Sequence, residues 1–288
     1  MFFDNTGALL IISKHWPDAP ITRLTGNGWK RVTLSPDLPD DAVTALPDIE
    51  IRGIGWTDET GATRVYLPST GLGGWLYDLD DGVITGATRV PATFEGAFVV
   101  RRRSRDSLGA WLADADSGCL RPCAMTCGAP ACAWQCETDV CLGTAMSTGG
   151  WTSDGIPVTA TSVRDATTGQ AGVELAWPDG SVTVPIDVSS GEKLQTRLTP
   201  RAGGGLLLAA YARLEPTIAL VAFDTAFDWK KYLFEAADAD DAVYGFAVAG
   251  TMSNGADLGH LVFATSFDVT FWTVDLLTGS RTKQGLTL

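Results

Sequence analysis

A motif that recurs along the chain constrains its fold more than any other feature. "WLYDLDDG" (Trp75–Gly82), "WLADADSG" (Trp111–Gly118) and "WTVDLLTG" (Trp272–Gly279) each run Trp, two residues, Asp, three residues, Gly. "VPIDVSSG" (Val184–Gly191) and, more loosely, "VAFDTAFD" (Val221–Asp228) keep the Asp with an aliphatic residue in place of Trp. "WTSDG" (Trp151–Gly155) keeps Trp and Asp with an earlier Gly. This is hairpin chemistry. An Asp leaving a strand accepts hydrogen bonds from the amides of the turn, and Gly supplies positive φ where the next strand begins. The Trp or aliphatic residue marks the incoming strand.

Measured at Asp78, Asp114, Asp154, Asp187, Asp224 and Asp275, the copies are 36, 40, 33, 37 and 51 residues apart. A period near 40 with one hairpin signal per unit is that of a propeller blade of four short strands. The expectation is therefore an all-β fold, a β-propeller of about seven blades with six as the alternative, filling residues 1–288 as a single domain. The last, longest step is expected to hold an inserted loop at "GTMSNGADLG" (Gly250–Gly259). Turn signals near Asp58 and Asp165 read as the other hairpin of a blade. "FFDNTG" (Phe2–Gly7) reads as a further hairpin, with the ring closed by pairing the chain ends. The motif resembles the Trp/Tyr-x-x-Asp-x-x-Thr-Gly hairpins of β-propeller repeat families, among them the quinoprotein repeats. The resemblance runs from Trp75 onward and implies architecture alone, because the copies contain no residues that would bind a quinone cofactor. Only Phe227–Ala242 has helical potential.

Six cysteines, Cys119, Cys123, Cys127, Cys132, Cys136 and Cys141, fall within one short stretch and the chain has no others. No long spacer separates them into the converging pairs of a zinc site, and their spacings match no iron–sulfur run. An even number of thiols in a compact segment favours disulfides, with 15 pairings open. A zinc or iron–sulfur site and free thiols stand as alternatives. The segment 119–150 is expected to be a Cys-rich loop insertion in one blade, stapled because it has little core of its own.

A net charge of −13 opposes general nucleic-acid binding, which needs a basic face. The one basic cluster, Arg101, Arg102, Arg103 and Arg105, is a solvated strand end or a contact for an acidic partner. The longest apolar runs are too short to span a bilayer. The N-terminus lacks the basic region and unbroken apolar stretch of a signal peptide, which predicts that the chain does not use the usual secretory route.

His15 and His260 are isolated, and no nucleophile elbow, zinc-protease or phosphate-loop motif is present. Carboxylates cluster in "DLDD", "DADS" and "DADDA", on hairpin tips where Asp already has a turn role. No catalytic, cofactor-binding or metal residue is assigned. The expected function is a non-enzymatic structural or binding module needing no cofactor. A bacteriophage virion component (tail tip, fibre or spike) is favoured, located in the virion rather than the cytoplasm. Its partners would be other virion proteins or a host surface protein or glycan, with no nucleic acid and no membrane span. The alternative is an enzyme: a carbohydrate-acting hydrolase using Asp pairs, or a metal or iron–sulfur redox protein using the cysteines.

Overall fold

The computed structural model describes every residue except 1, 5–7, 13–20, 26–27, 47–52, 58–60, 69–71, 93–97, 104–106, 114–116, 129–130, 138–139, 145–146, 187–192, 213–216, 236–244, 265–267 and 288. The described chain is nearly all strand. Sheet 1 holds β1 (Phe2–Phe3), β2 (Leu9–Ile12), β3 (Ile21–Thr25) and β4 (Gly28–Arg31). Sheet 2 holds β5 (Thr33–Leu34), β6 (Ile54–Thr57), β7 (Thr63–Pro68), β8 (Gly74–Asp80) and β9 (Val83–Val90) in the order β5-β9-β8-β7-β6. Sheet 3 is β10 (Phe98–Arg102), β11 (Leu108–Ala113), β12 (Leu120–Gly128) and β13 (Ala131–Cys136). Sheet 4 is β14 (Thr148–Trp151), β15 (Pro157–Arg164), β16 (Ala171–Trp177) and β17 (Gly180–Pro185). Sheet 5 is β18 (Gln195–Pro200), β19 (Leu206–Tyr211), β20 (Thr217–Phe223) and β21 (Trp229–Glu235), and sheet 6 is β22 (Gly245–Ser253), β23 (Ala256–Ala264), β24 (Asp268–Asp275) and β25 (Arg281–Thr287).

The chain divides into two compact units, Met1–Ala113 with Cys123–Glu137, and Asp114–Pro122 with Thr138–Leu288. In the first, β1 lies beside β6 and β6 beside β10; in the second, β14 lies beside β18 and β18 beside β22. The first full strand of each meander thus neighbours the first of the next, which is how propeller blades pack. Gly150 marks one such approach, since a Cβ there would sit 2.5 Å from that of Leu198 on β18. The architecture is an all-β propeller type, with five four-stranded blades and one five-stranded sheet.

That count corrects the expected seven, and six four-stranded blades are not found either. The last strands of successive meanders, β4, β9, β13, β17, β21 and β25, begin at Gly28, Val83, Ala131, Gly180, Trp229 and Arg281, so a unit occupies about 50 residues rather than 40. The Asp corners are not equivalent points. Asp224 and Asp275 sit at third-to-fourth-strand hairpins, but Asp154 follows the first strand of sheet 4, and Asp78 lies within β8. Asp114 and Asp187 lie outside the described residues. Hairpin chemistry recurs at every corner of a meander, so Asp-to-Asp spacing does not measure a blade. The motif's tryptophans do lie on strands, with Trp75 on β8, Trp111 on β11, Trp151 on β14 and Trp272 on β24.

Three further expectations change. Gly250–Gly259 is no insertion: it is the hairpin joining β22 to β23, turning at Asn254 and Gly255, both at positive φ, the pairing that suits a two-residue turn. No sheet of described strands joins the two chain ends. Phe227–Ala242 contains strand β21, whose Tyr232 and Phe234 are buried while neighbours face out, a period of two rather than 3.6. Among the described residues a helix lies elsewhere, at α1 (Asp40–Ala45).

Sheet 2 owes its fifth strand to the connection from sheet 1. There β5 pairs in parallel with β9, Thr33 against Val83 and Leu34 against Ile84. Helix α1 then buries Ala42, with Leu38 and Leu46 beside it, against Val65, Tyr77 and Leu79. The Tyr77 hydroxyl donates to Ala42 C=O at 2.8 Å, which satisfies a buried polar group that would otherwise cost about 1–3 kcal/mol.

The cysteines lie on β12 and β13 and in the segments flanking them, so they form part of a regular blade rather than a loop insertion. Cys123 pairs with Cys136 and Cys127 with Cys132, and both pairs stand directly opposite in the ladder register. Cys119–Cys141 ties the two flanking segments, next to the bridge of Leu120 with Leu142. Met125 faces Trp134 between the two ladder disulfides. This face packs with Trp56, Tyr66 and Leu76 of sheet 2, and Trp134 meets Tyr66 edge-on at 5.9 Å.

Candidate functional site

In the second unit, sheets 4 and 5 are held together at one end by backbone and side-chain bonds. Ser153 N–H donates to Gly205 C=O at 2.8 Å, and Gly205 N–H donates to Ser153 Oγ at 2.8 Å. Gly205 is required there: its φ is +88°, and a Cβ would fall 2.2 Å from Phe223 O. Sheets 5 and 6 are joined in the same way, through Arg201 Nε and Asp257 at 2.6 Å and Gly203 N–H donating to Asp257 at 3.3 Å.

At the opposite end of the strands, a cleft of about 400 Å³ lies where sheets 4 and 5 meet. Its polar lining is Thr148, Ser162, Lys193, Gln195, Thr196 and Arg197, over apolar Ala160 and Leu194. The start of β14, the later part of β15 and the start of β18 supply most of these groups, and Lys193 and Leu194 come from the segment just before β18. The hydroxyls are pre-oriented. Thr196 Oγ1 donates to Thr148 Oγ1 at 2.9 Å, and Leu194 N–H donates to Ser162 Oγ at 3.0 Å. Arg197 lies over the Phe246 ring at 5.1 Å and donates to Thr196 C=O at 2.9 Å, fixing its stem at the rim. A hydroxyl donates and accepts together, an amide does both through separate atoms, and a cation donates. The lining can therefore hold a ligand rich in hydroxyls or carbonyls. Among the described residues the lining holds no carboxylate pair of the kind that protonates a leaving group and activates water in glycoside cleavage.

The residues singled out in the sequence do not converge on one place. Among the six cysteines, all sulfurs are taken up in disulfides, so they present no thiolate set to zinc or iron. Among the described residues no group of three or more His, Cys, Asp or Glu is placed to hold a metal. Arg101 and Arg102 lie on β10, Arg103 N–H donates to Ser107 C=O at 3.0 Å, and Arg105 lies outside the described residues. His15 also lies outside them. His260 is on β23 with its ring between two hydroxyls, 2.6 Å from Thr251 Oγ1 and 3.1 Å from Thr273 Oγ1, and it stacks on Phe271. Burial lowers its pKa below the usual imidazole range.

Several of the described aspartates serve turns and ion pairs. Asp165 Oδ1 accepts from Thr167 and Thr168 N–H, Asp224 Oδ1 from Ala226 and Asp228 N–H, and Asp275 Oδ1 from Leu277 and Thr278 N–H. The Thr168 amide lowers the pKa of Asp165, and the Thr278 amide that of Asp275. In "DLDD", Asp78 pairs with Arg64 at 3.4 Å and Asp81 with Arg23 at 2.8 Å; Asp4 completes that network 2.7 Å from Arg23 Nε. "DADDA" and the aspartates of "DADS" lie outside the described residues.

No family model matches the sequence, and no curated protein sequence matches it. Among solved structures the chain is similar to that of the SapL1 lectin in complex with alpha methyl fucoside. The identity is 11% over 99% of this chain and 94% of that one, with a TM-score of 0.49.

Proposed function

We propose that the protein is a non-enzymatic binding module whose blades form a rigid scaffold and whose cleft between sheets 4 and 5 receives a hydroxyl-rich ligand of the glycan class. The observation that carries this reading is the cleft's lining of hydroxyl, amide and cationic groups, most of them set on strands β14, β15 and β18. Strand-borne groups lose little entropy when a ligand arrives, which favours recognition. The turn duties of Asp165, Asp224 and Asp275 and the hydroxyl partners of His260 support it, since those side chains already serve the fold. A finer role, as a virion component for assembly or host attachment, rests on composition: an acidic, β-rich chain with a cysteine cluster. Its test is detection of the chain in purified particles by mass spectrometry.

The cleft is tested by saturation-transfer NMR of the full chain against a panel of neutral and acidic monosaccharides and oligosaccharides. Transfer from at least one sugar, abolished by Thr196→Val and by Ser162→Ala with the melting curve retained, is the expected result. Release of reducing sugar during incubation would place the protein among the hydrolases instead, and transfer unchanged in both variants would move the site elsewhere.

A further inference from the structure

Outer strands of blades leave one row of backbone N–H and C=O groups unpaired, and such rows template the addition of another strand. The molecule shows this addition within itself, where β5 lies along β9 at the edge of sheet 2. Among the described residues, β25 at the edge of sheet 6 pairs with β24 alone. Its sequence, RTKQGLT, has no proline, one of the devices that blunt an exposed edge, and its only charges are the basic Arg281 and Lys283, which oppose addition of a neutral or basic strand and leave an acidic one admissible. By contrast β17 ends in Pro185, β21 ends in Glu235, and β13 belongs to the disulfide-closed hairpin of sheet 3.

The direction of the free groups follows from the hairpin. Asp275 N–H donates to Ser280 C=O at 2.9 Å, so Ser280 faces β24. Ladder alternation then turns the backbone N–H and C=O of Arg281 and Lys283 outward. These two side chains share a face of the strand and are exposed. Arg281 lies over Phe234 at 5.0 Å and Lys283 over Trp272 at 5.6 Å, on two rings that are themselves 5.4 Å apart. Arg281 also donates to Leu233 C=O at 2.6 Å. Each cation is thus steadied by an aromatic face, and among the described residues neither has a carboxylate within ion-pair reach. In a chain of net charge −13 this is a local basic edge.

We propose that the open edge of β25 docks an extended acidic segment of a partner protein, added as a fifth strand with Asp or Glu at alternate positions against Arg281 and Lys283. The spacing fits: residues two apart on a strand are about 6.6–6.8 Å apart, on both the host and the added strand. Main-chain hydrogen bonds would supply the attachment and the two cations the choice of partner. This inference is independent of the cleft between sheets 4 and 5.

The test is fluorescence anisotropy of the full chain with a labelled peptide alternating Thr and Glu over seven residues. Saturable binding is expected. It should weaken about tenfold in the double variant Arg281→Gln, Lys283→Gln, since two cross-strand charge pairs are lost. It should be abolished when alternate peptide amides are N-methylated, with the double variant's melting curve superimposing on that of the parent. No binding of the parent peptide, or equal binding by the N-methylated peptide or the double variant, overturns the proposal. So does competition by a sulfated polysaccharide as strong as that by unlabelled peptide, because charge alone would then account for the association.

Discussion

Sheet 5 presents β19 as LLLAAY with every residue buried and β20 as TIALVAF with only Thr217 partly exposed. The outer hairpin of sheet 3 does the reverse. Along β12 and β13 one face carries Cys123, Met125, Trp134 and Cys132, all buried, while Thr126, Ala133 and Gln135 on the other face are exposed. The two sheets share one meander topology, yet different forces hold them. Sheet 5 has core on both faces, with one cluster shared with sheet 4 and another with sheet 6, so continuous apolar strands are affordable and strongly stabilising, at about 1.5–3 kcal/mol per large side chain. The β12–β13 pair contributes only one face to a core and replaces the missing burial with covalent ties. A blade can therefore be closed by packing or by cross-linking, and the sequence of its strands shows which.

Reduction should separate the two solutions most widely. In the loop-closure view, losing Cys123–Cys136, which spans 13 residues, costs about 3 kcal/mol, and losing Cys127–Cys132, which spans 5, about 2 kcal/mol. Strong reductant also opens Cys119–Cys141, which spans 22 residues, for about 3 kcal/mol more, so a thermal melt should fall by roughly 15 °C, and hydrogen exchange should rise in β12 and β13 before it rises in β19 and β20. Next in size is Leu208→Ala in sheet 5, which empties a fully buried site and should cost about 2–5 kcal/mol by chemical denaturation. That loss should be equal with and without reductant, because distant sites add; a strong dependence on reductant would mean that the two sheets are not separately supported.

Smaller effects sharpen the same contrast. Tyr77→Phe removes the buried bond to Ala42 and should cost about 1–2 kcal/mol, read as earlier exchange in α1 with β19 unaffected. His260 has a pKa below that of the unfolded chain, so the unfolded state takes up a proton first as the solution is acidified. Its contribution is full at neutral pH and is lost as pH falls below about 6.5. His260→Gln should flatten the fall in melting temperature between pH 7.5 and 5. Asp275 shifts in the same sense and acts at lower pH: its stabilisation is present above the usual carboxylate pKa and vanishes as pH falls through its lowered value. Asp275→Ala should therefore destabilise at pH 7 and by progressively less as pH falls below the usual carboxylate range, the smallest change of the series.

Much of this fold was legible. Asp and Gly at the corners and Trp on the strands identified hairpins throughout, and the even cysteine count pointed to disulfides. The period was not legible, because Asp165 on a second-to-third corner and Asp275 on a third-to-fourth corner accept turn amides in the same way and look alike in sequence. The cysteine pairing did carry a sequence signal: Cys123 with Cys136, and Cys127 with Cys132, are equidistant from the midpoint between Gly128 and Ala131. Equal spacing about a turn is the mark of opposed positions in a hairpin. The cleft left no such mark. Thr148, Ser162 and Thr196 are ordinary strand residues on two different sheets, brought together only by the packing of one blade on the next.

The claim on which the contrast depends is that the cysteines close a blade in ladder register. Cleavage of the unreduced protein after Leu120, Met125, Trp134 and Glu137, followed by mass spectrometry, tests it directly. The account predicts Cys127 joined to Cys132 within residues 126–134, residues 121–125 joined to the fragment holding Cys136, and a fragment ending at Leu120 joined to the one holding Cys141. Recovery of Cys123 joined to Cys141, Cys127 or Cys132, or of free thiols among the six, would contradict it.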